Sequence, residues 1–421
     1  MSDGRTVLLV NKYHYLKGGA EKYYLDLSEL LAKRGDRIVH LAMRHDANLP
    51  ARDGDRFVSE VDYRARMGAA ARARHAVRSV YNSEAARAAR EIARGARPDV
   101  AHLHNVYHQL SPSVIRALDD EGIPIVQTLH DYKLICPAYL LLTQQGEICE
   151  RCRGGRYHEA FRRRCLLDSR AASAVGMIEA YLHRWLRTYE KVRLFVCPSR
   201  FLLEKVAEFG VARERLVALP YFLQVDRYEP APAASEGDYY VYAGRLSREK
   251  GVATLLEAHA RLPKPGRLPL RILGEGPLDA MLKARATELG ASDVAFEGYR
   301  RPPELHRIVG AARFVVVPSE WYENYPYAIL EAFALARPVL GARIGGIPEL
   351  VRDGETGLTF APGGADDLAA AIARMAADRS GANEMGRAAR AWVASTLDPK
   401  RHLERLDAIY EAARAARAVA P

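Results

Sequence analysis

The segment Ser319–Ala334 reads SEWYENYPYAILEAFA and sets two carboxylates, Glu323 and Glu331, eight positions apart. A carboxylate accepts paired hydrogen bonds from a vicinal diol, so two of them can hold two sugar rings of one nucleotide sugar. Pro326 suits the first turn of a helix. Glu323 then falls just before the helix and Glu331 about two turns inside it, among Tyr327, Ile329, Leu330 and Phe333. Upstream, YAGRLSREKG (Tyr242–Gly251) carries Arg245 and Lys250 in a loop after an apolar run. Two fixed cations at a strand's carboxyl end can neutralise a diphosphate leaving group; an ordinary charged surface loop is the alternative. Near the start, NKYHYLKGGAE (Asn11–Glu21) puts Gly18 and Gly19 between an apolar run and a helix. Glycines let backbone approach an anion, and a helix N-terminus offers free N–H groups; a plain tight turn is the other reading. The string is not GxGxxG and no suitable acid follows about 20 residues on, which argues against a nicotinamide dehydrogenase.

Cys136, Cys149, Cys152 and Cys165 have the spacing C-x12-C-x2-C-x12-C, in an arginine-rich stretch over 131–168. Four thiolates can hold a structural zinc tetrahedrally, with His158 able to replace one of them; unligated thiols are the alternative. Cys197 lies in an apolar run and reads as core. Disulfides do not fit a reducing compartment. Asp53-Gly-Asp55 matches an Asp-x-Asp metal string, but strings this short arise by chance.

These residues must be positioned by strands that alternate with helices. Apolar runs at Thr6–Val10, Arg37–Met43, Val100–His104, Pro124–Leu129, Leu194–Cys197 and Leu216–Leu219 read as strands with helical patterns between them. The Pro/Ala/Ser stretch Asp226–Gly237 has no periodicity and reads as a linker. The alternation then resumes at Tyr239–Ala243, Leu270–Leu273, Val294–Phe296, Phe314–Val317 and Pro338–Ala342. Parallel sheets with crossover helices follow from such a pattern, and a last helix from about Lys400 to Ala418 could cross back to the first half.

A chain of 421 residues suits two or three domains. No apolar window reaches membrane-spanning length, and the N-terminus lacks the features of a signal peptide, so a cytoplasmic enzyme is expected. Met1–Phe222 holds 36 of the 62 Lys and Arg but 26 of the 52 Asp and Glu, so the net charge of +10 sits in that half. Arg64, Arg66, Arg72, Arg74, Arg78, Arg87, Arg90, Arg94 and Arg97 are set among alanines, as basic helices facing an anionic partner or simply as a solvated face. Two tyrosines among nine arginines give no stacking platform, so nucleic acid is not expected as a partner.

The Gly18-Gly19 loop, the Arg245/Lys250 block and the Glu323/Glu331 pair, with GGIPELVRDGETGLTF (Gly345–Phe360), resemble the retaining glycosyltransferases of family 4 over most of the chain. The resemblance implies an α/β chain of GT-B architecture, two doubly wound Rossmann-like domains facing across a cleft. Residues 1–222, with the insert 131–168 and the returning helix 398–421, would form the acceptor side, and 223–397 the donor side. It further implies that Gly18 and Gly19 approach the donor phosphate, that Arg245 and Lys250 grip the diphosphate, and that Glu323 meets the sugar hydroxyls. Glu331 would bind the ribose diol, the backbone at Tyr299 the base, and Asn324 and Tyr325 the donor. His130, in QTLHDY, resembles the histidine facing the donor sugar, although a lone histidine is more often a satisfied buried one. Pro326 stands where many members have glycine and removes one N–H donor.

The implied reaction moves a hexose from a UDP- or GDP-sugar with retention and without a divalent cation. The implied acceptor is a lipid-linked glycan at an anionic membrane surface, with the protein cytoplasmic or peripheral at the inner face. A soluble small-molecule acceptor is the alternative; a nucleotide-sugar 2-epimerase fits the paired glutamates poorly.

Overall fold

The computed structural model describes residues 4–61, 68–231 and 237–416. Its contacts divide the chain into two units. One holds the residues up to Gln144, Cys149–Tyr221 and those from Lys400 on; the other holds Gln145–Ile148 and Phe222–Pro399.

The first unit is built on six parallel strands among the described residues: β1 (Thr6–Val10), β2 (Arg37–Leu41), β3 (Val100–Leu103), β4 (Ile125–Thr128), β5 (Leu194–Cys197) and β6 (Leu216–Ala218). Their order is β2-β1-β3-β4-β5-β6. Between them run α1 (Gly19–Arg34), α2 (Ala69–Val80), α3 (Ser83–Ala96), α4 (Ser113–Asp120), α5 (His158–Arg162), α6 (Arg170–Trp185) and α7 (Arg200–Glu208). Val7–Val10 are fully buried, as the continuous apolar run of a strand covered on both faces demands. Gly35, at φ +103°, stops α1 in the left-handed region.

The second unit repeats the plan with β7 (Tyr240–Ala243), β8 (Leu270–Leu273), β9 (Val294–Gly298), β10 (Val315–Val317), β11 (Val339–Ala342) and β12 (Gly357–Phe360), in the order β12-β11-β10-β7-β8-β9. Its helices are α8 (Val252–Arg261), α9 (Asp279–Glu288), α10 (Pro302–Ala311), α11 (Tyr327–Ala334), α12 (Ala365–Ala377) and α13 (Arg379–Thr396). Strand β12 has no counterpart among the expected strands, because its four residues lie inside a stretch read as a motif. In each sheet the order reverses at one place, between β1 and β3 and between β7 and β10. Ligands of doubly wound sheets bind beyond the strands' carboxyl ends at such a switch point.

Helix α14 (Pro399–Ala415) belongs to the first unit and is tied to it by polar contacts. Arg5 pairs with Asp407 and Glu411. Tyr410 Oη lies 2.8 Å from His102 Nδ1, and Tyr23 Oη lies 3.0 Å from His402 Nε2. His402 Nδ1 is 3.0 Å from the Pro220 carbonyl, which can only accept. Nδ1 therefore carries the proton and Nε2 accepts from Tyr23.

The arginine-rich helices are less one-sided than their composition. Arg78 pairs with Glu84, Arg90 with Asp120 and Arg94 with Glu121; Arg64 and Arg66 lie outside the described residues. The Asp53–Asp55 string caps and enters a short 3-10 turn, Gly54–Arg56. Among the described residues no helix is long and apolar enough to cross a membrane.

The buried histidines give acid stability a definite sign. Burial holds His102, His130 and His402 down to about 3, against about 6.5 for a free imidazole. The unfolded chain takes up protons below about pH 6.5 that the folded chain refuses, so this stability is whole above that value and is lost as pH falls towards 3. The melting temperature of the first transition should drop steadily from about pH 7 to about pH 4.5. A flat profile over that range would show that the histidines do not enter the balance.

Candidate functional site

The second unit gathers its candidate residues at the switch between β7 and β10. Two residues past β7 stands Arg245, exposed, its carbonyl accepting from Tyr242 Oη at 2.8 Å. The 3-10 turn Arg248–Lys250 follows and ends on Gly251 at φ +68°. A Cβ at Gly251 would stand 1.8 Å from the Pro318 carbonyl oxygen. Only glycine lets this loop approach the end of β10 so closely, and that approach brings Lys250 to its partner.

The partner is Glu323. Lys250 Nζ donates to Glu323 Oε1 at 2.6 Å, and Ser319 Oγ donates to the same oxygen at 2.6 Å. Lys250 also stands 5.4 Å from the centre of the Trp321 ring. Burial pushes the Glu323 carboxyl upward, but the Lys250 charge and hydrogen bonds from Lys250 and Ser319 outweigh it. The net displacement is downward, so the carboxylate stays ionised. The backbone of Glu323 is gripped as well. Gly346 N–H donates to its carbonyl at 2.7 Å, and a Cβ at Gly345, φ +61°, would meet the Glu323 carbonyl oxygen at 2.3 Å. The GGIPEL string thus seats the backbone that presents Glu323.

Glu331 is placed differently from the expectation. Pro326 is the N-cap, with φ −71° and ψ 121°, and α11 begins at Tyr327. A proline-fixed extended residue cannot be the first helical one here, so Glu331 sits little more than one turn inside, not two. Its neighbours Tyr327, Ile329, Leu330 and Phe333 are buried, as expected. Tyr228 Oη donates to Glu331 Oε1 at 3.2 Å.

Tyr228 lies in the stretch read as a linker, and that reading is corrected for its first residues. Val225–Arg227 is a 3-10 turn, Tyr228 is buried, and its carbonyl accepts from Arg390 at 3.0 Å; residues 232–236 lie outside the described ones. Asn324 and Tyr325 are buried beside Glu323, and burial, with the Glu349 charge, pushes the Tyr325 hydroxyl upward. Tyr299, just past β9, is 59% exposed, and its N–H donates to Glu275 Oε1 at 3.4 Å.

In the first unit, Gly18 caps α1 with extended backbone (φ −170°), and Gly19 is the first helical residue. A Cβ at Gly18 would meet only Glu21 Oε2, at an ordinary 3.6 Å, so its backbone does not require glycine. The ends of β1 and β3 are laced together, with Lys12 N–H donating to the Asn105 carbonyl at 2.8 Å and Asn105 N–H to Asn11 Oδ1 at 3.1 Å. His130, past β4, lies with Nε2 2.9 Å from His104 Nδ1 and Nδ1 2.7 Å from Tyr221 Oη. Burial and then the Lys12 charge lower its pKa to about 3. His130 is therefore neutral, with both ring nitrogens engaged within the protein.

The insert cysteines Cys136, Cys149, Cys152 and Cys165 are free thiols. Burial first, then the other three, raise the Cys152 thiol, so the four share one neighbourhood. Burial also brings Cys165 to about 11. Among the described residues, however, no group of three or more His, Cys, Asp or Glu is placed to hold a metal ion, and the zinc expectation is not carried forward. Cys197 is buried in β5, as expected.

The family model for "Glycosyltransferase Family 4" matches residues 17–227, and that for "Glycosyl transferases group 1" matches residues 227–392. The chain is a family 4 glycosyltransferase. A glycogen synthase of Mycobacterium tuberculosis is 28% identical over 72% of this chain and 66% of its own length. A lipopolysaccharide core biosynthesis glycosyltransferase of Rhizobium meliloti is 33% identical over 46% of this chain and 57% of its own. The chain thus spans about two thirds or less of these relatives. Among solved structures, Anabaena HepE in complex with UDP and glucose superposes with a TM-score of 0.69 at 17% identity, covering 97% of this chain and 99% of that one. Sucrose-phosphate synthase from Thermosynechococcus elongatus gives 0.73 at 19%, covering 98% and 100%. The GT-B fold is shared.

The Lys250–Glu323 contact in this glycosyltransferase can be weighed by a double-mutant cycle. Lys250→Met should cost about 1–3 kcal/mol of unfolding free energy, discounted from a fully buried pair because the lysine is partly exposed. In a Glu323→Gln background the same change should cost much less. Equal costs in both backgrounds would mean that the two residues are not coupled.

Proposed function

We propose that this chain transfers a sugar from a nucleoside diphosphate sugar to an acceptor with retention of the anomeric configuration. The observation that carries the reading is the ionised, buried Glu323, held by Lys250 and Ser319 at the switch point of the second sheet. Lys250 has three N–H donors and spends one on Glu323. The others, with the exposed Arg245, suit the two phosphates of a leaving diphosphate. Glu331 beside Tyr228 suits the ribose diol, and Glu323 suits hydroxyls of the donor sugar.

The glycosidic bond to the diphosphate breaks as the acceptor oxygen attacks the same face of the anomeric carbon. The leaving phosphate oxygen takes the acceptor's proton. The cations stabilise charge that grows in that step, so no divalent ion is required. His130, neutral and fixed by His104 and Tyr221, has a positioning role on the sugar side.

A UDP-sugar is the proposed donor, in line with the UDP and glucose bound by HepE. The proposed acceptor is a lipid-linked glycan at the inner face of a membrane. It is favoured over a soluble one by the arginine-rich insert, which presents Arg151, Arg153, Arg156, Arg162, Arg163 and Arg164.

Thermal shift with UDP, GDP and ADP should single out one base, and a donor at 100 times its dissociation constant raises stability by about 2.7 kcal/mol. Glu331→Ala should weaken that binding by about 1–3 kcal/mol, whereas Arg245→Ala should lower turnover at saturating donor. Activity should persist in EDTA. An inverted product by NMR would overturn the retaining reading, and loss of activity in EDTA restored by magnesium would overturn the metal-free one.

A further inference from the structure

Helix α6 is folded inside out. Its buried residues are Ser173, Gly176, Glu179 and His183. Its outward positions include Ala171, Ile178, Tyr181 and Trp185. At 100° per residue these two sets lie on opposite faces, so the polar stripe faces inward and the apolar stripe outward. Trp185 is 78% exposed, Ile178 53% and Tyr181 38%. An amphipathic helix of a globular protein has the reverse arrangement.

The rotation of α6 is fixed by polar contacts, so the apolar stripe has no alternative orientation. Glu179 forms a buried ion pair with Lys133. His183 Nε2 meets the Val80 carbonyl at 2.8 Å and Nδ1 meets Thr188 Oγ1 at 3.0 Å. Leu166 N–H donates to Ser173 Oγ at 3.0 Å. Turning the helix by half a revolution would bury the apolar stripe but would strand Lys133 as a buried, unpaired charge.

The two helices packed beside α6 carry the same character: α2 exposes Val77 and α5 exposes Phe161. Charge surrounds them. Residues 151–187 hold nine arginines against three acids, one of which, Glu179, is consumed inside. Arg162, Arg170, Arg184 and Arg187 are exposed. Arg162 pairs with Glu159 and Arg187 with Glu190, yet the segment keeps a net positive charge. Exposed aromatic and aliphatic side chains on a basic segment match the boundary of a bilayer, where a tryptophan ring sits at headgroup depth and guanidinium groups meet lipid phosphates.

We infer that the outward face of α6, with its neighbours on α2 and α5, is a docking surface for an anionic phospholipid bilayer. It deepens the lipid-linked acceptor reading, because docking would hold the first unit at the surface where such an acceptor lies. The surface was not legible as such in the sequence, where only arginine-rich stretches, at 64–97 and in the insert, pointed to an anionic partner. The apolar contribution comes from a helix beyond the insert.

Vesicle co-sedimentation without any sugar donor tests it. The full chain should pellet with phosphatidylcholine vesicles containing phosphatidylglycerol, much less with phosphatidylcholine alone, and should be released as salt screens the charge. The double variant Ile178→Ser/Trp185→Ser should lose about tenfold or more of the partition, the scale of one or two withdrawn apolar side chains. Its circular dichroism and its thermal shift with UDP should match the wild type, which separates lost docking from misfolding. A failure of docking with UDP binding intact sinks this inference and leaves the transfer reading standing. Equal pelleting of variant and wild type, or equal pelleting with charged and neutral lipid, would overturn the inference. So would a dimer in light scattering that the double variant abolishes while no vesicle binding occurs, since the stripe would then belong to a second copy.

Discussion

A buried carboxylate is costly unless something keeps it paired, and the second unit is arranged around paying that cost at Glu323. Lys250 and Ser319 converge on one of its oxygens. The serine is four residues from the glutamate, but the lysine is not local in sequence: it arrives from the loop after β7 while the glutamate follows β10. Two adjacent parallel strands whose connections leave in opposite directions give the only place where two such loops meet. The meeting is then tightened until no side chain fits, at Gly251 against Pro318 and at Gly345 against Glu323. Motif glycines and motif charges are therefore one device. Glycine provides the approach, and the approach makes the ion pair that keeps the carboxylate ionised.

The first unit solves a different problem with uncharged groups. Its last helix returns from the far end of the sequence and is held by tyrosine–histidine contacts, Tyr410 to His102 and Tyr23 to His402. Neutral imidazoles can both donate and accept, so each links two elements without the desolvation cost of a charge. His104 and His130 extend the same seam from β3 and β4 to Tyr221. The seam explains why a histidine recognised by family likeness is also a satisfied structural one. The two readings are not exclusive, because a ring fixed at both nitrogens presents its carbon face and edge in a constant place.

Much of this was legible from the residues. Parallel strands buried on both faces read as apolar runs, so eleven of the strands were placed to within two residues at either end, and the cation and carboxylate blocks fell on the loops that carry them. What stayed hidden depends on tertiary partners. Tyr228 sits in a stretch with no period, and nothing local marks it as the partner of Glu331. The depth of Glu331 in α11 turned on whether Pro326 is the first helical residue or the cap, a difference of ψ that composition does not report. Cysteine spacing gave the shared neighbourhood of the four thiols. Helix α6 shows the limit most plainly. Its apolar period is visible, yet the inward face is chosen by Lys133, Thr188 and Val80, residues far outside the helix or beyond its end.

That choice also determines how rigid the outward surface is. The Val80 carbonyl can only accept, so His183 carries its proton on Nε2, and Nδ1 accepts from the Thr188 hydroxyl. One neutral ring thereby ties the last residue of α2 to α6. Burial lowers the His183 pKa, which protects this tautomer. Nearer the middle of α6, a Cβ on Gly176 would come within 3.0 Å of Leu166, so the turn before the helix packs directly onto its backbone. Helix α2 and the segment after α5 are therefore fastened to the inner side of α6. On the outer side Tyr181 still meets His158 and the Tyr157 ring, while Ile178 and Trp185 stand exposed, open to selection for what they meet outside.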